Sequence, residues 1–363
     1  MPGRPAVNMK DLAREAGVSV ASVSRALSDA PGVSSSTRRR IKELAASMSY
    51  TVSPDASRLK RGSRNRVAVV VRDIAHWAYS SMLQGIMGSL RNADLDVLLY
   101  QVRTEQERRR FFEQLPARRQ VDAVIVIAFP ISDEERQCLE LMDAAVVIAG
   151  GRLGDYPSVH IDDVAAAQQA TNHLILAGHE RIGMINAGGD WSLPYSQPAD
   201  RLHGFTTAME AAGLSVIPEL IVEAPWGRTG GAEGMNRLLS IAPPPTAVFA
   251  FSDEVAIGAL RSLRRAAVTV PSGMSVVGID DHPMAELSDL TTVHQAAEGQ
   301  GARAGQLLLD ILGDNAAPGT QITTPTHLVV RGTTAPPRPK RPQPADDSPR
   351  HIYASTEIDR KWG

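Results

Sequence analysis

The side chains best suited to chemistry lie near the start of the chain. Between Asn8 and Leu27, Ser19, Ser22, Ser24 and Arg25 share a short helical stretch with the small apolar Val20 and Ala21. An arginine fork can donate two hydrogen bonds to guanine O6 and N7, Val and Ala methyls fit against a thymine methyl, and hydroxyls bind phosphate oxygens. The surrounding spacing reads as two short helices about a tight turn. Met9, Leu12, Ala13 and Ala16 recur on one helical face. Asn8 stands where an N-cap belongs, Asp11 falls in the first turn, and Gly17 suits a C-terminal left-handed residue. Ser19 is expected to cap the second helix, whose core face is Val23, Ala26 and Leu27, leaving Ala21, Ser22, Ser24, Arg25 and Ser28 outward. A helix of that kind can enter a major groove. A plain helical hairpin packed on another element has the same spacing.

Other segments must position this reader. Ser34 caps an expected third helix carrying Arg38, Arg39 and Arg40, with Ile41, Leu44, Ala45 and Met48 on its apolar face. Its cationic side is expected along a phosphate backbone. Tyr50–Gly62 follows, with Ser53, Pro54 and a single large apolar side chain, Leu59, among Arg58, Lys60 and Arg61. It reads either as an interdomain linker or as a short helix that folds on DNA with Leu59 wedged into the minor groove. Residues 1–62 carry a net charge of +6 and the rest of the chain −8, a basic head on an acidic body.

From Arg66 the pattern becomes strand–helix alternation. Val67–Val71 is a continuous apolar run, as expected of a parallel strand buried on both faces. Strands are expected over 95–100, 121–128, 145–149, 159–161, 182–186, 220–223, 248–251, 275–279 and 327–330. Helices are expected between them, including 163–177, 201–212, 229–240, 254–266 and 302–312. Two doubly wound halves in series make a cleft at the strand carboxyl ends. The Pro-rich, charged segment from Ala335 is expected to be disordered. The lone Cys138 excludes an intrachain disulfide and reads as a packing residue in a cytosolic protein. There is no signal-peptide-like or membrane-length apolar run. His173 and His179 lack acidic partners for a metal site.

Taken together, the residues resemble the lactose-repressor (LacI/GalR) family of bacterial transcription regulators. The likeness rests on Asp11-Leu12-Ala13, Ala16-Gly17-Val18-Ser19 and Ser22-Val23-Ser24-Arg25 in the head. In the body it rests on Asp73-Ile74, Gly178-His179-Glu180-Arg181-Ile182, Arg201-Leu202-His203-Gly204-Phe205, Ser252-Asp253 and Val276-Val277-Gly278-Ile279-Asp280-Asp281. The resemblance implies an all-α helix-turn-helix headpiece plus hinge helix, followed by a two-lobed α/β periplasmic-binding-protein-like (type I) effector domain. The expected divisions are 1–50 headpiece, 51–63 hinge, 64–334 effector and dimerisation domain, and 335–363 tail. Lobe crossings are expected near 162, 290 and 320. The implied partners are a near-palindromic double-stranded operator, a second copy in a homodimer, and a small-molecule effector of carbohydrate type, with no cofactor, metal or membrane.

By the same resemblance, Val20, Ala21 and Arg25 read bases, Ser19, Ser22 and Ser24 hold phosphates, and Ala56 and Leu59 enter the minor groove. Ser53 and Ser57 replace the family's usual Asn and Arg. The expected effector contacts are Asp280 and Arg201 for hydroxyls, Trp226 for a sugar face, and Ser252, Gln295, Trp77 and Tyr79. The alternatives are a helix-capping or lobe-bridging role for Asp280, a structural ion pair for Arg201, and core or lid packing for Trp226. Asp253 is expected to cap the helix after it. Alternatives on this scaffold are a nucleobase or nucleoside effector, activation in place of repression, and a sugar-binding transport protein. A dehydrogenase is disfavoured because Gly150-Gly151-Arg152-Leu153-Gly154 lacks dinucleotide-binding spacing and does not open a helix.

Overall fold

A computed structural model describes residues 8–48, 50, 65–93, 95–118, 121–129, 131–142, 144–188, 196–317 and 319–339. Ala56 and Leu59 of the expected hinge, Trp191, and the tail beyond residue 339 lie outside them.

The headpiece comprises α1 (Met9–Ala16), α2 (Val20–Leu27) and α3 (Ser35–Ser47). Asn8 and Asp11 form a reciprocal capping box at α1, and Gly17 ends that helix at φ 66°. Ser19 and Ser34 cap α2 and α3 by accepting from Ser22 and Thr37 N–H. Leu12, Ala13, Ala16, Val23, Ala26, Ile41 and Ala45 close a small core between the helices.

The body is built on two six-stranded sheets. The first lobe contains β1 (Arg66–Val71), α4 (Trp77–Leu90), β2 (Asp96–Gln101), α5 (Glu105–Arg118), β3 (Ala123–Ile127), α6 (Asp133–Glu140), β4 (Ala145–Ala149) and β5 (Ser158–Ile161). The second contains α7 (Asp163–Leu176), β6 (Ile182–Ala187), α8 (Gln197–Ala211), β7 (Ile221–Ala224), α9 (Gly227–Leu239), β8 (Ala247–Ala250), α10 (Asp253–Arg265), β9 (Ser275–Asp280), α11 (Pro283–Leu287) and β10 (Thr291–Gln295). The chain then returns to the first lobe with α12 (Ala297–Leu312) and β11 (Gln321–Thr324), and ends in the second with β12 (Thr326–Val329). Strand orders are β11-β5-β4-β3-β1-β2 and β12-β10-β9-β8-β6-β7. The β10–β12 pairing is antiparallel and the others are parallel.

Passage between lobes therefore occurs at Asp162, Ala296 and Pro325. The second and third lie downstream of the expected 290 and 320, because β10 and β11 extend the two sheets beyond those points. Neither strand, nor α11, follows from the hydrophobic pattern. Helix α12 also begins before the expected 302. Gly301 lies in its first turns, where a Cβ would strike the Met82 carbonyl, and Gly85 on α4 meets the Glu298 carbonyl in the same way. Gly85 and Gly301 form the close-packing seam of α4 and α12. The segment after 334 is likewise not all tail: Ala335 N–H donates to Ser275 Oγ at 3.1 Å, and the Ala335 carbonyl lies 2.9 Å from His179 Nε2.

Candidate functional site

The reading face of α2 is open to solvent. Ser19, Val20, Ala21 and Arg25 are exposed, and Ser22 and Ser24 are half-buried. Val20 keeps 41% of its surface exposed although it is a large apolar side chain, because Val23 and Ala26 occupy the core face. Part of the expected phosphate-binding row of α3 is used internally. Arg38 donates to the Ala30 carbonyl at 2.6 Å, Arg40 to the Ala16 carbonyl at 2.9 Å, and Lys42 pairs with Asp29 at 2.8 Å. These ties hold α3 against the turns on either side of α2.

Between the lobes lies a cavity of about 600 Å³. Arg72 and Asp73 follow β1, Arg103 follows β2, and Ala75, His76 and Tyr79 open α4; these form one wall. Gly188 follows β6, Pro225–Arg228 follow β7 and open α9, and Glu254 opens α10; these form the other. The cavity thus occupies the strand carboxyl ends where each sheet reverses its order, the usual ligand position in doubly wound sheets.

Aromatic rings line it. The centroids of His76 and Tyr79 are 4.4 Å apart, and those of His76 and Trp226 5.2 Å. Trp226 also meets Phe251 edge-on at 4.7 Å and donates from Nε1 to the Gly188 carbonyl at 3.2 Å. His76 Nε2 lies 3.2 Å from Glu254 Oε2 but out of line for a hydrogen bond, so both ring nitrogens are unpartnered. Burial, helped by the charge of Arg201, pushes the imidazole pKa down to about 4 and keeps the ring neutral. Burial pushes the Tyr79 phenol upward.

Beneath the rings is a buried polar layer. The Arg201 guanidinium lies 4.4 Å from the Phe251 ring centroid, donates to Asp163 Oδ1 at 2.8 Å, and donates to the Phe251 carbonyl at 2.5 Å. At the end of β9, positive φ at Asp280 (137°) and Asp281 (55°) turns the chain sharply. Asp280 accepts from Gln295 Nε2 at 2.5 Å, and Gln295 in turn accepts from Gln300 at 3.0 Å. Asp281 instead pairs with Arg331 at 2.6 Å. Asp253 accepts from Thr292 Oγ1 at 2.6 Å and His282 N–H at 2.9 Å. Burial raises the pKa of both Asp253 and Asp280, and their mutual repulsion raises Asp253 further.

Among the expected effector residues, Tyr79 and Trp226 line the cavity. Trp77 stands beside His282, with ring centroids 5.1 Å apart, rather than in the wall. Arg201, Ser252, Asp280 and Gln295 are all buried beneath it. Ser252, not Asp253, caps α10, accepting from Val255 N–H. Asp253 instead ties α10 to β10 and to the start of α11. His76, Glu254, Arg72 and Arg228 escape sequence reasoning because their meeting depends on two lobes closing on each other. Among the described residues no group of His, Cys, Asp and Glu is arranged to hold a metal ion. No helix there is long and apolar enough to cross a membrane.

Comparison with known proteins agrees with this geometry. Residues 8–53 match the bacterial regulatory proteins of the lacI family, and residues 171–334 match a periplasmic binding protein-like domain. The HTH-type transcriptional repressor CytR of Escherichia coli (strain K12) is 33% identical over 336 residues, covering 91% of this chain and 96% of that protein. The HTH-type transcriptional repressor PurR of Actinobacillus pleuropneumoniae serotype 3 (strain JL03) is 30% identical, covering 83% and 90%. A solved complex of the transcriptional regulator CelR with cellobiose superimposes with a TM-score of 0.68 at 29% identity, covering 91% of this chain and 100% of that one. The Lac repressor dimer bound to operator and the anti-inducer ONPF shares the fold, with a TM-score of 0.79 at 24% identity over 91% and 100%. The helix-turn-helix head and the doubly wound lobes described above are in keeping with these matches. The chain belongs to the LacI family of bacterial DNA-binding transcription regulators and is not an enzyme.

Proposed function

We propose that the protein is a cytoplasmic repressor that binds a near-palindromic operator as a homodimer and responds to a sugar held between its lobes. The observation that carries this reading is the interlobe cavity, with Trp226 and Tyr79 in its walls and the neutral, unpartnered His76 facing in. Aromatic faces suit the apolar side of a sugar ring, and a neutral imidazole both donates and accepts hydrogen bonds. The cellobiose complex of CelR is in keeping with a sugar, and the naming of CytR and PurR as repressors is in keeping with repression.

On the DNA side, Val20, Ala21 and Arg25 read base edges while Ser19, Ser22 and Ser24 hold phosphates. Ala56 and Leu59, in a hinge over 51–63, enter the minor groove at the centre of the site. On the effector side, Tyr79 and Trp226 form the contact surface and Trp77 flanks it. Arg201, Ser252, Asp280 and Gln295 come within reach as the lobes move apart. Effector binding changes the lobe angle, and with it the spacing of the paired hinges.

A DNase footprint on the intergenic region upstream of the gene, with and without added sugars, tests the reading. Protection of a near-palindromic site, altered by one sugar, is expected. Equal protection of unrelated sequences at matched salt would refute it.

A further inference from the structure

We propose that the interlobe cavity takes a sugar carrying an anionic group, held by Arg72, just after β1, and Arg228, in the first turn of α9. This rests on the sugar reading above and narrows it to phosphorylated sugars or sugar acids.

The two arginines come from different lobes, both line the cavity, and both are exposed. Neither makes a hydrogen bond or ion pair with any described residue. Arg103, the third arginine of the wall, is already paired with Asp73 at 3.0 Å. Among the described lining residues Glu254 is the only other carboxylate, so with His76 neutral they carry three positive charges against two negative. Glu254 also lies beside His76 rather than in an ion pair with Arg228.

The helix starts add to this excess. Helix α4 begins after His76 and α9 after Trp226, and at neither does a side chain cap the first turn. Both helix starts contribute residues to the cavity lining, so the positive end of each helix dipole lies at the cavity, one from each lobe. Arg228 feels Glu254 only at a distance, without an ion pair; a neutral polyol adds no counter-charge for either arginine, whereas a phosphate or carboxylate does. Trp226, Tyr79 and the two bare nitrogens of His76 are then left for the sugar ring and its hydroxyls. One anion gripped by Arg72 and Arg228 together would also tie the lobes to each other.

Calorimetry on the full chain at fixed ionic strength tests this with glucose, glucose 6-phosphate, glucuronate, ribose, ribose 5-phosphate and inorganic phosphate. At least one anionic derivative should bind about tenfold or more tightly than its parent sugar. That advantage should shrink as salt rises. It should also largely vanish in Arg72→Met and Arg228→Met, with parent-sugar binding and the urea midpoint unchanged. Preference for the phosphates over glucuronate, or the reverse, identifies the anion. Parent sugars binding as well as their derivatives would overturn the proposal, as would an advantage that survives both substitutions. Arginine-dependent binding of inorganic phosphate with no sugar binding would uphold the anion subsite and refute the sugar reading. Silence from every probe would refute both.

Discussion

Replacing Arg201 by Met should destabilise the second lobe in a pH-dependent way. Arg201 is 2% exposed and its partner Asp163 8%. The substitution removes the hydrogen bond at 2.8 Å to Asp163, the one to the Phe251 carbonyl, and the guanidinium over the Phe251 ring. Breaking a buried pair from one side costs about 3–5 kcal/mol, since the remaining charge has neither water nor counter-ion. Asp163 has a way out: it can bind a proton. Its folded-state pKa is already raised by burial, with Arg201 pulling it back down, and the variant loses that pull. Protonating a carboxyl whose ordinary pKa is 3.8 costs at most about 4 kcal/mol at pH 7 and about 1.5 kcal/mol at pH 5, at 1.36 kcal/mol per unit. The sign follows from linkage. A carboxyl whose folded pKa is raised favours the fold fully below its unfolded value, and that contribution is lost as pH rises toward the folded value. Urea unfolding of the full chain, followed by circular dichroism at pH 5 and pH 7, should show the larger loss at pH 7. Adding Asp163→Asn should recover much of it. A loss below about 1 kcal/mol at pH 7, or a greater loss at pH 5, would refute the reasoning.

Three further substitutions probe the other parts of the molecule. Arg25→Ala should relax base preference at one position of each half-site by about 1–3 kcal/mol, read from competition between single-base operator variants at constant salt; uniform weakening across all variants would assign Arg25 to the phosphates. Asn8→Ala removes the acceptor of the Lys10 and Asp11 N–H bonds and should lower headpiece stability by about 1 kcal/mol in thermal unfolding, without changing the bases selected. Gly258→Val should lower the melting temperature of the body and leave a separately expressed headpiece unaffected, because a Cβ there strikes the Arg228 carbonyl across the α9–α10 seam; an unchanged melt would mean that the seam is loose.

The parts of the fold legible in sequence are those encoded locally. Caps at Asn8, Ser19 and Ser34 lie beside the helices they start, and the runs Val67–Val71 and Ala145–Ala149 are apolar because each strand has helices on both faces. What escaped depends on distant partners. The packing role of Gly85 and Gly301 shows only when each is set against the other helix's backbone. β11 has only Ile322 among polar neighbours, and its place is fixed by pairing with β5. At the cavity, sequence pattern singles out the polar residues after the second-lobe strands. It does not show that Asp280 and Gln295 satisfy each other, or that Ser252 is consumed as a cap. The facing residues sit on three separate connections, Arg72 and His76 after β1, Arg228 after β7 and Glu254 after β8, with no sequence spacing to link the two lobes' contributions.

The lobes are joined at Asp162, Ala296 and Pro325, each a single residue between regular elements belonging to different lobes. Such joints have almost no slack. They permit a pivot about the region they define but little sliding or separation of one lobe past the other. Mechanically the body is close to a device with one degree of freedom, and on the proposed reading ligand size and charge would be converted into an angle. Lengthening any joint by a few glycines should leave both lobes folded and the cavity able to bind, yet blunt the transmission of that angle to the DNA-reading head.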